Sequence, residues 1–374
     1  MAELLKNVYN ETYADKLIGA LREVYPSFPA ESFRRAVFAD DWETLELKER
    51  MRRITLCLRE ALPSSYQDAL AILSKAIPHL RGHGLENIIF PDFVEQFGQE
   101  DWEHSLPALA HFTCYGTSEF AVRPFLVKDS ERMMALMLEW ADSTNTDIRR
   151  LASEGCRPRL PWAMALPAFK HDPSPILPIL EKLKADESDY VRRSVANNLN
   201  DIAKDHPKLV LAIAKRWLQL HNPLVDWVVK HGCRTLLKKG NPEALALFGF
   251  EAFEKAEVTA LSITPDPVAI GDSGTITFSL RPTTPEPCRL RIEYGIEFVK
   301  ATGTRSLKLF KITENTYEPG TTYAFTRRHS FREMTTRKHY PGQHALQVIV
   351  NGLQCARVEF HLVAAMSLPK STLN

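Results

Sequence analysis

Three carboxylates and one tryptophan recur in similar company along the chain. Glu119 stands in Thr117-Ser118-Glu119-Phe120 and is followed by Arg123-Pro124; Glu154, 35 residues on, is followed by Arg157-Pro158, Arg159 and Trp162. Asp201 closes the run Asn197-Asn198-Leu199-Asn200-Asp201. The segment from Ser153 to Trp162, SEGCRPRLPW, ends what otherwise reads as an ordinary amphipathic helix, where Gly, Asn or Ser would normally stand. Taken singly, each acid reads as a surface or capping group. Their recurrence beside arginine and an aromatic implies a site that meets something charged and flat. Grouped carboxylates stabilise an oxocarbenium-like transition state, and one of them can orient an attacking water. A tryptophan face adds about 0.5–2 kcal/mol against a cation.

The surroundings of these acids are basic. Formal net charge is only +1, but residues 1–146 hold 15 basic and 23 acidic side chains, whereas residues 147–240 hold 17 and 10. Such asymmetry is the footprint of a polyanion-binding face. Arg149, Arg150, Arg157, Arg159, Arg192, Arg193 and Lys204 gather at the same predicted helix ends, where phosphates would also find backbone N–H groups. Adjacent residues diverge by about 100° on a helix, so one of each pair is expected to face the ligand.

Positioning falls to helices. Up to about residue 256, apolar residues recur at three- and four-residue steps, as in Met133-Met134 to Met137-Leu138 and Leu209-Val210 to Ile213-Ala214. IRRLASEG (148–155) aligns with VRRSVANN (191–198), and VRRSVANNLNDIAKDHP (191–207) with VDWVVKHGCRTLLKKGN (225–241). Helix pairs recurring every 35–45 residues are the pattern of HEAT-like repeats, which bury their apolar faces only by stacking. Equal register places Glu154 at the position of Asn197, with Asp201 one turn beyond. The first 80 residues are helical in pattern but show no clean repeat.

Near Glu257 the texture changes. VTALSITP, GTITFSLRP, RLRIEYGIEFV, TYAFTRRHSF, HALQVIVNG and ARVEFHL alternate apolar and polar residues between turn formers. An immunoglobulin-like sandwich follows, with HYPGQHALQVIVNG (339–352) resembling its tyrosine corner, F strand and turn. The expected organisation is multi-domain: an all-α HEAT-like repeat solenoid over 1–256 carrying the acids and the polyanion-binding face, an all-β immunoglobulin-like sandwich over 257–366 and a tail over 367–374. The stretch TRRHSFREMTTRKH (326–339) supplies Arg327, Arg328, Arg332, Arg337 and Lys338 against the single acid Glu333. It reads as a basic hairpin or loop closing on the bound polyanion from the side opposite the solenoid.

The six cysteines are scattered, with no zinc spacing, and read as reduced thiols of a cytoplasmic protein. No signal peptide and no membrane span is apparent. Carboxylates in a basic cleft suit a polyanion with a cation at its centre. DNA carrying an N-methylated base is such a species.

TSEFAVRPF, LASEGCRPRLPWA and VRRSVANNLNDIAKDHP resemble the signature of the bacterial AlkC-type DNA alkylation repair glycosylases, relatives of the AlkD-type HEAT-like enzymes. The resemblance is strongest from Asp101 to Gly240, and the sandwich is similar to the domain found in one branch of that family. It implies a monomer acting on double-stranded DNA. The implied chemistry is base excision of 3-methyladenine, 3-methylcytosine and related cationic lesions, with no metal or organic cofactor and without extruding the base, unlike most glycosylases. The family's catalytic positions fall on Glu119, Glu154, Trp162 and Asp201. DNA contacts are expected from Arg149, Arg157, Arg159, Arg192, Arg193, Asn197 and Lys204, together with the basic stretch of the sandwich.

Two other functions compete. A HEAT-repeat scaffold gripping protein or DNA without catalysis would not need the acids. A damage-recognising DNA binder would hold phosphate better without them. Lyase chemistry needs a lysine beside the sugar with a lowered pKa; Lys204 is the one lysine in these stretches, and it stands near Asp201 alone rather than among the three acids.

Overall fold

The computed structural model describes residues 4–250, 256–333 and 338–364. The chain forms two compact units, Met1–Gly232 and Cys233–Asn374. The joint therefore falls earlier than the expected change at 256/257.

The first unit is helical. Its N-terminal part comprises α1 (Glu11–Val24), α2 (Ala30–Val37), α3 (Leu47–Ala61), α4 (Tyr66–Ala76), α5 (Ile89–Phe97) and α6 (Trp102–Phe112). Then come α7 (Val122–Lys128), α8 (Ser130–Trp140), α9 (Thr146–Gly155), α10 (Pro167–His171), α11 (Leu177–Leu183), α12 (Asp189–Ile202), α13 (Pro207–Leu218) and α14 (Pro223–Gly232). As the repeats imply, α9, α12 and α14 lie side by side, with α8, α11 and α13 packed against them. The expected register is visible in burial. Val191, Ser194, Val195, Asn198 and Leu199 are buried, and so are their equivalents Val225, Val228, Val229, Gly232 and Cys233. Arg193 and its equivalent Trp227 are exposed.

Two hydrogen bonds fix α9 against α12. Ser153 Oγ lies 2.6 Å from Ser194 Oγ, and Asn198 Nδ2 donates to the Ser153 carbonyl at 2.8 Å. Gly155 lets α9 end close to α7 and α8. A Cβ there would stand 2.6 Å from Val122 Cγ2 and 2.9 Å from Met137 Cε.

The second unit opens with α15 (Arg234–Lys238) and α16 (Pro242–Leu247), followed by a sandwich of β1 (Ala256–Thr264), β2 (Val268–Ala269), β3 (Ser273–Pro282), β4 (Cys288–Val299), β5 (Arg305–Tyr317), β6 (Tyr323–Ser330), β7 (Gly342–Val350) and β8 (Leu353–Val363). One sheet has the order β1-β3-β6 and the other β2-β8-β7-β4-β5. Their facing sides bury Ile276, Phe278, Leu290, Ile292, Leu346, Val348 and Phe360. Val350 pairs with Leu353 across Asn351-Gly352, both left-handed (φ 47° and 82°), which is the two-residue turn an Asn-Gly pair favours. The short helices belong here because Gly240 packs directly on Gly352 and Arg289 donates to the Phe248 carbonyl at 3.1 Å. All six cysteines are free thiols, Cys288 and Cys355 included.

Candidate active site

The three carboxylates come together, but not as bare acids. Glu119, in the turn before α7, pairs with Arg150 of α9; Arg150 also reaches Glu154 Oε1, at 3.5 Å. Arg157, just past the end of α9, donates to the same Glu154 oxygen at 2.6 Å and to Asp201 Oδ2 of α12 at 2.9 Å. Lys204 closes the series on Asp201 Oδ1 at 2.8 Å. The result is an alternating ladder, acid to cation to acid, running from the start of α7 across α9 to the end of α12. Its side chains are largely withdrawn from water: 13% of Glu119, 6% of Glu154 and 2% of Asp201 remain exposed.

The electrostatics follow from this pairing. Burial alone would lower the pKa of the Arg150 guanidinium, but Glu154 and Glu119 outweigh it and raise the pKa; Glu154 and Asp201 do the same for Arg157. Both cations therefore stay charged, and each carboxylate is held at a fixed place. Thr117 locks Glu119 further, its hydroxyl donating to Oε2 at 3.0 Å while accepting from Arg150 at 3.0 Å. Tyr190, 45% exposed at the start of α12, lies under the Arg150 guanidinium at 4.9 Å. Cys156 is no nucleophile, because full burial pushes its thiol up to about 12.

Trp162 is 61% exposed and sits in the left-handed region at φ 62°. The ring is therefore not part of the helical core. A bulky residue in that conformation costs roughly 1–2 kcal/mol and needs a frame that imposes it. Arg123 of α7 supplies much of the frame. Wholly buried, it donates to the carbonyls of Gly155 (2.8 Å), Arg157 (2.9 Å) and Met164 (2.7 Å), stapling both ends of the loop that carries Trp162. Burial pulls its pKa down to about 10, which leaves it charged at neutral pH. Replacing Arg123 by Met should strand three carbonyls, at about 1–3 kcal/mol each. A thermal unfolding scan should then show a midpoint at least about 6 °C lower, together with a fall in any activity that depends on Trp162. An unchanged midpoint would mean that the loop is held by other bonds.

The expected phosphate ligands divide. Arg149 and its repeat equivalent Arg192 do not face the ladder. Each donates to two carbonyls five and six residues before it, Ser143 and Thr144 for the first, Asp186 and Glu187 for the second, and Arg149 also grips Asp186. They brace their own helix starts. Arg150, the other member of its pair, is the one that reaches the acids. Arg157 is 7% exposed and spent on Glu154 and Asp201, so its expected role at phosphate gives way to one inside the ladder. Lys204 is drawn to Asp201 in the same way. Arg193 and Arg159 remain more open, with Asp189 and Asp205 as ion-pair partners, and Asn197 is half-buried on α12. Arg327 and Arg328 lie on edge strand β6 rather than in a loop; Arg332 and Lys338 are exposed beyond it, and Arg337 lies outside the described residues. Sequence reasoning missed Tyr190, and it missed Lys48, which donates to the Trp162 carbonyl from α3. No local spacing signals a hydrogen bond made across 114 residues.

A family model described as a DNA alkylation repair enzyme matches residues 111–236, and one described as the C-terminal Ig-like domain of the uncharacterised protein YhaZ matches residues 257–364. YhaZ of Bacillus subtilis (strain 168) is 51% identical over 348 residues, spanning 93% of this chain and 96% of its own length. The Pseudomonas fluorescens alkylpurine DNA glycosylase AlkC, solved bound to DNA containing an abasic site analogue, is 39% identical. It superimposes with a TM-score of 0.92, covering 97% of this chain and all of that one. Among the described residues, no helix is long and apolar enough to cross a membrane.

Proposed function

The chain belongs to the AlkC family of alkylpurine DNA glycosylases, and from that premise we propose that it is a monofunctional enzyme excising cationic N3-methylated bases, 3-methyladenine and 3-methylcytosine, from duplex DNA without extruding them. The observation that carries this reading is the ladder of Glu119, Glu154 and Asp201 held by arginines, with an exposed tryptophan on the loop that follows α9. In 3-methyladenine the purine already bears the positive charge. Breaking the bond between C1′ and the ring nitrogen returns the electron pair to the purine, which leaves neutral, and the charge passes to the sugar. A carboxylate at about 4 Å from that centre is worth roughly 4 kcal/mol at an effective dielectric of 20. Water then adds to C1′ and gives its proton to a carboxylate. The arginines between the acids offset part of the ladder's repulsion of phosphate and fix the carboxylates in advance, so little reorganisation accompanies the reaction. Trp162 offers its face to the cationic base or sugar.

Incubating the protein with methylated duplex DNA tests the proposal. Free methylated base should appear together with alkali-labile abasic sites in otherwise unbroken strands. Binding without release would favour the scaffold reading, and spontaneous strand scission would indicate a lyase.

Arg327, Arg328 and Arg332 are proposed to bind phosphates. Changing the three to Ala in the full chain should weaken DNA binding and reduce the slope of log affinity against log salt by about 0.9 for each phosphate no longer neutralised. An unchanged slope would make this part of the sandwich a bystander.

A further inference from the structure

We infer that Lys48 is a positioning residue for the excision site, tying the N-terminal helices to the loop that presents Trp162. The inference rests on the proposed role of Trp162. Lys48 lies in the first turn of α3, whose start is fixed by a reciprocal cap between Glu46 and Glu49. The helix itself is anchored on α5, where Arg52 grips Asp92 with two bonds of 3.0 and 2.9 Å. From this rigid base the Lys48 ammonium donates to the Trp162 carbonyl and stands 4.9 Å above the ring of Phe120, the residue after Glu119. One cation thus touches both segments that carry site residues outside the repeat helices.

What lies beneath makes that tie necessary. A cleft of about 500 Å³ separates α3 and α5 from these same segments, lined on one side by Lys48, Arg52 and Glu95 and on the other by Phe120, Ala163 and Met164. Side-chain packing across such a space cannot hold the loop. Arg123 staples the loop from the α7 side, whereas Lys48 spans the cleft and holds the Trp162 carbonyl itself. That carbonyl belongs to the residue with the costly left-handed backbone, so its orientation sets where the indole points. The N-terminal helices, which lie outside the matched alkylation-repair segment of residues 111–236, gain a catalytic purpose through this bond.

The test uses the full chain and four variants: Lys48→Met, Lys48→Arg, Trp162→Ala and the double variant Lys48→Met/Trp162→Ala. Single-turnover release of 3-methyladenine should fall about tenfold in Lys48→Met, with unchanged melting and unchanged affinity for undamaged duplex. Lys48→Arg should recover the rate to within about twofold. In the Trp162→Ala background, Lys48→Met should have no further effect, because it acts through the ring it orients. Hydrogen exchange provides a readout independent of activity. The amides of Ala163 and Leu166, which bond to the carbonyls of Leu160 and Pro158, should exchange faster in Lys48→Met than in the parent. Faster exchange in a protein that releases no base would leave the brace standing and sink the proposed reaction. Unaltered exchange, or a full tenfold loss still present in the Trp162→Ala background, would overturn the inference.

Discussion

Glu154→Gln and Asp201→Asn should each slow single-turnover base release by at least about a hundredfold, while affinity for duplex DNA stays equal or rises. Each substitution keeps the shape of the side chain and removes one charge from the ladder. Preorganised charge at a developing cation is worth about 2.7–4 kcal/mol when a single group is removed. Phosphate binding responds in the opposite sense, because removing an acid relieves repulsion of the backbone. Fold should survive in both variants, since Arg157 lies between the two acids and retains one of them in each. Glu119→Gln should show a similar but smaller loss, as its partner Arg150 keeps Glu154. The assay belongs with a melting curve and a binding isotherm. Unchanged excision with weakened binding would remove these residues from the chemistry.

Trp162→Ala should abolish most excision of cationic lesions without moving the melting midpoint by more than about 2 °C. A face offered to a cation at 0.5–2 kcal/mol converts to a loss of about 2- to 30-fold, and displacement of the substrate adds to it. Stability should hardly change, because the ring is 61% exposed and its removal opens no cavity. A buried tryptophan would instead cost about 3–5 kcal/mol. A much lower midpoint would contradict the exposed placement, and full activity would show that the ring is not used.

The helical repeats were legible because burial of one face forces a period, and the aligned segments 191–199 and 225–233 share their buried and exposed positions except at Ala196, whose equivalent Lys230 is half-buried. The joint between the units was not. The pattern in α15 and α16 reads as one more pair of helices, and the approach of Gly240 to Gly352 and the Arg289 bond to the Phe248 carbonyl assign it to the sandwich. Strand β5 was also hidden. It is an edge strand in which Tyr317 alone is buried, so its apolar alternation is diluted by Lys308, Lys311, Glu314 and Asn315.

Within the candidate site, the recurrence of Glu119 and Glu154 before Arg-Pro pairs pointed to acids that the ion pairs now join, but the roles of the cations were not legible. Arg149 and Arg150 differ only by a turn of about 100° on one helix, and the sequence does not say which faces the acids. Arg157 did leave a signal. It stands three residues after Glu154, as Lys204 does after Asp201, and such spacing pairs opposite charges on one helical turn. Tyr190 and Lys48 reach the site from distant sequence, where no spacing rule applies.

The acid ladder is proposed to select and process a positively charged lesion. Single-turnover excision from matched duplexes, one containing 3-methyladenine and the other an uncharged modified purine, tests it most directly. The cationic base should be released at least about a hundredfold faster than the neutral one, with the difference collapsing in Glu154→Gln. Comparable rates for both lesions in the parent protein would contradict it.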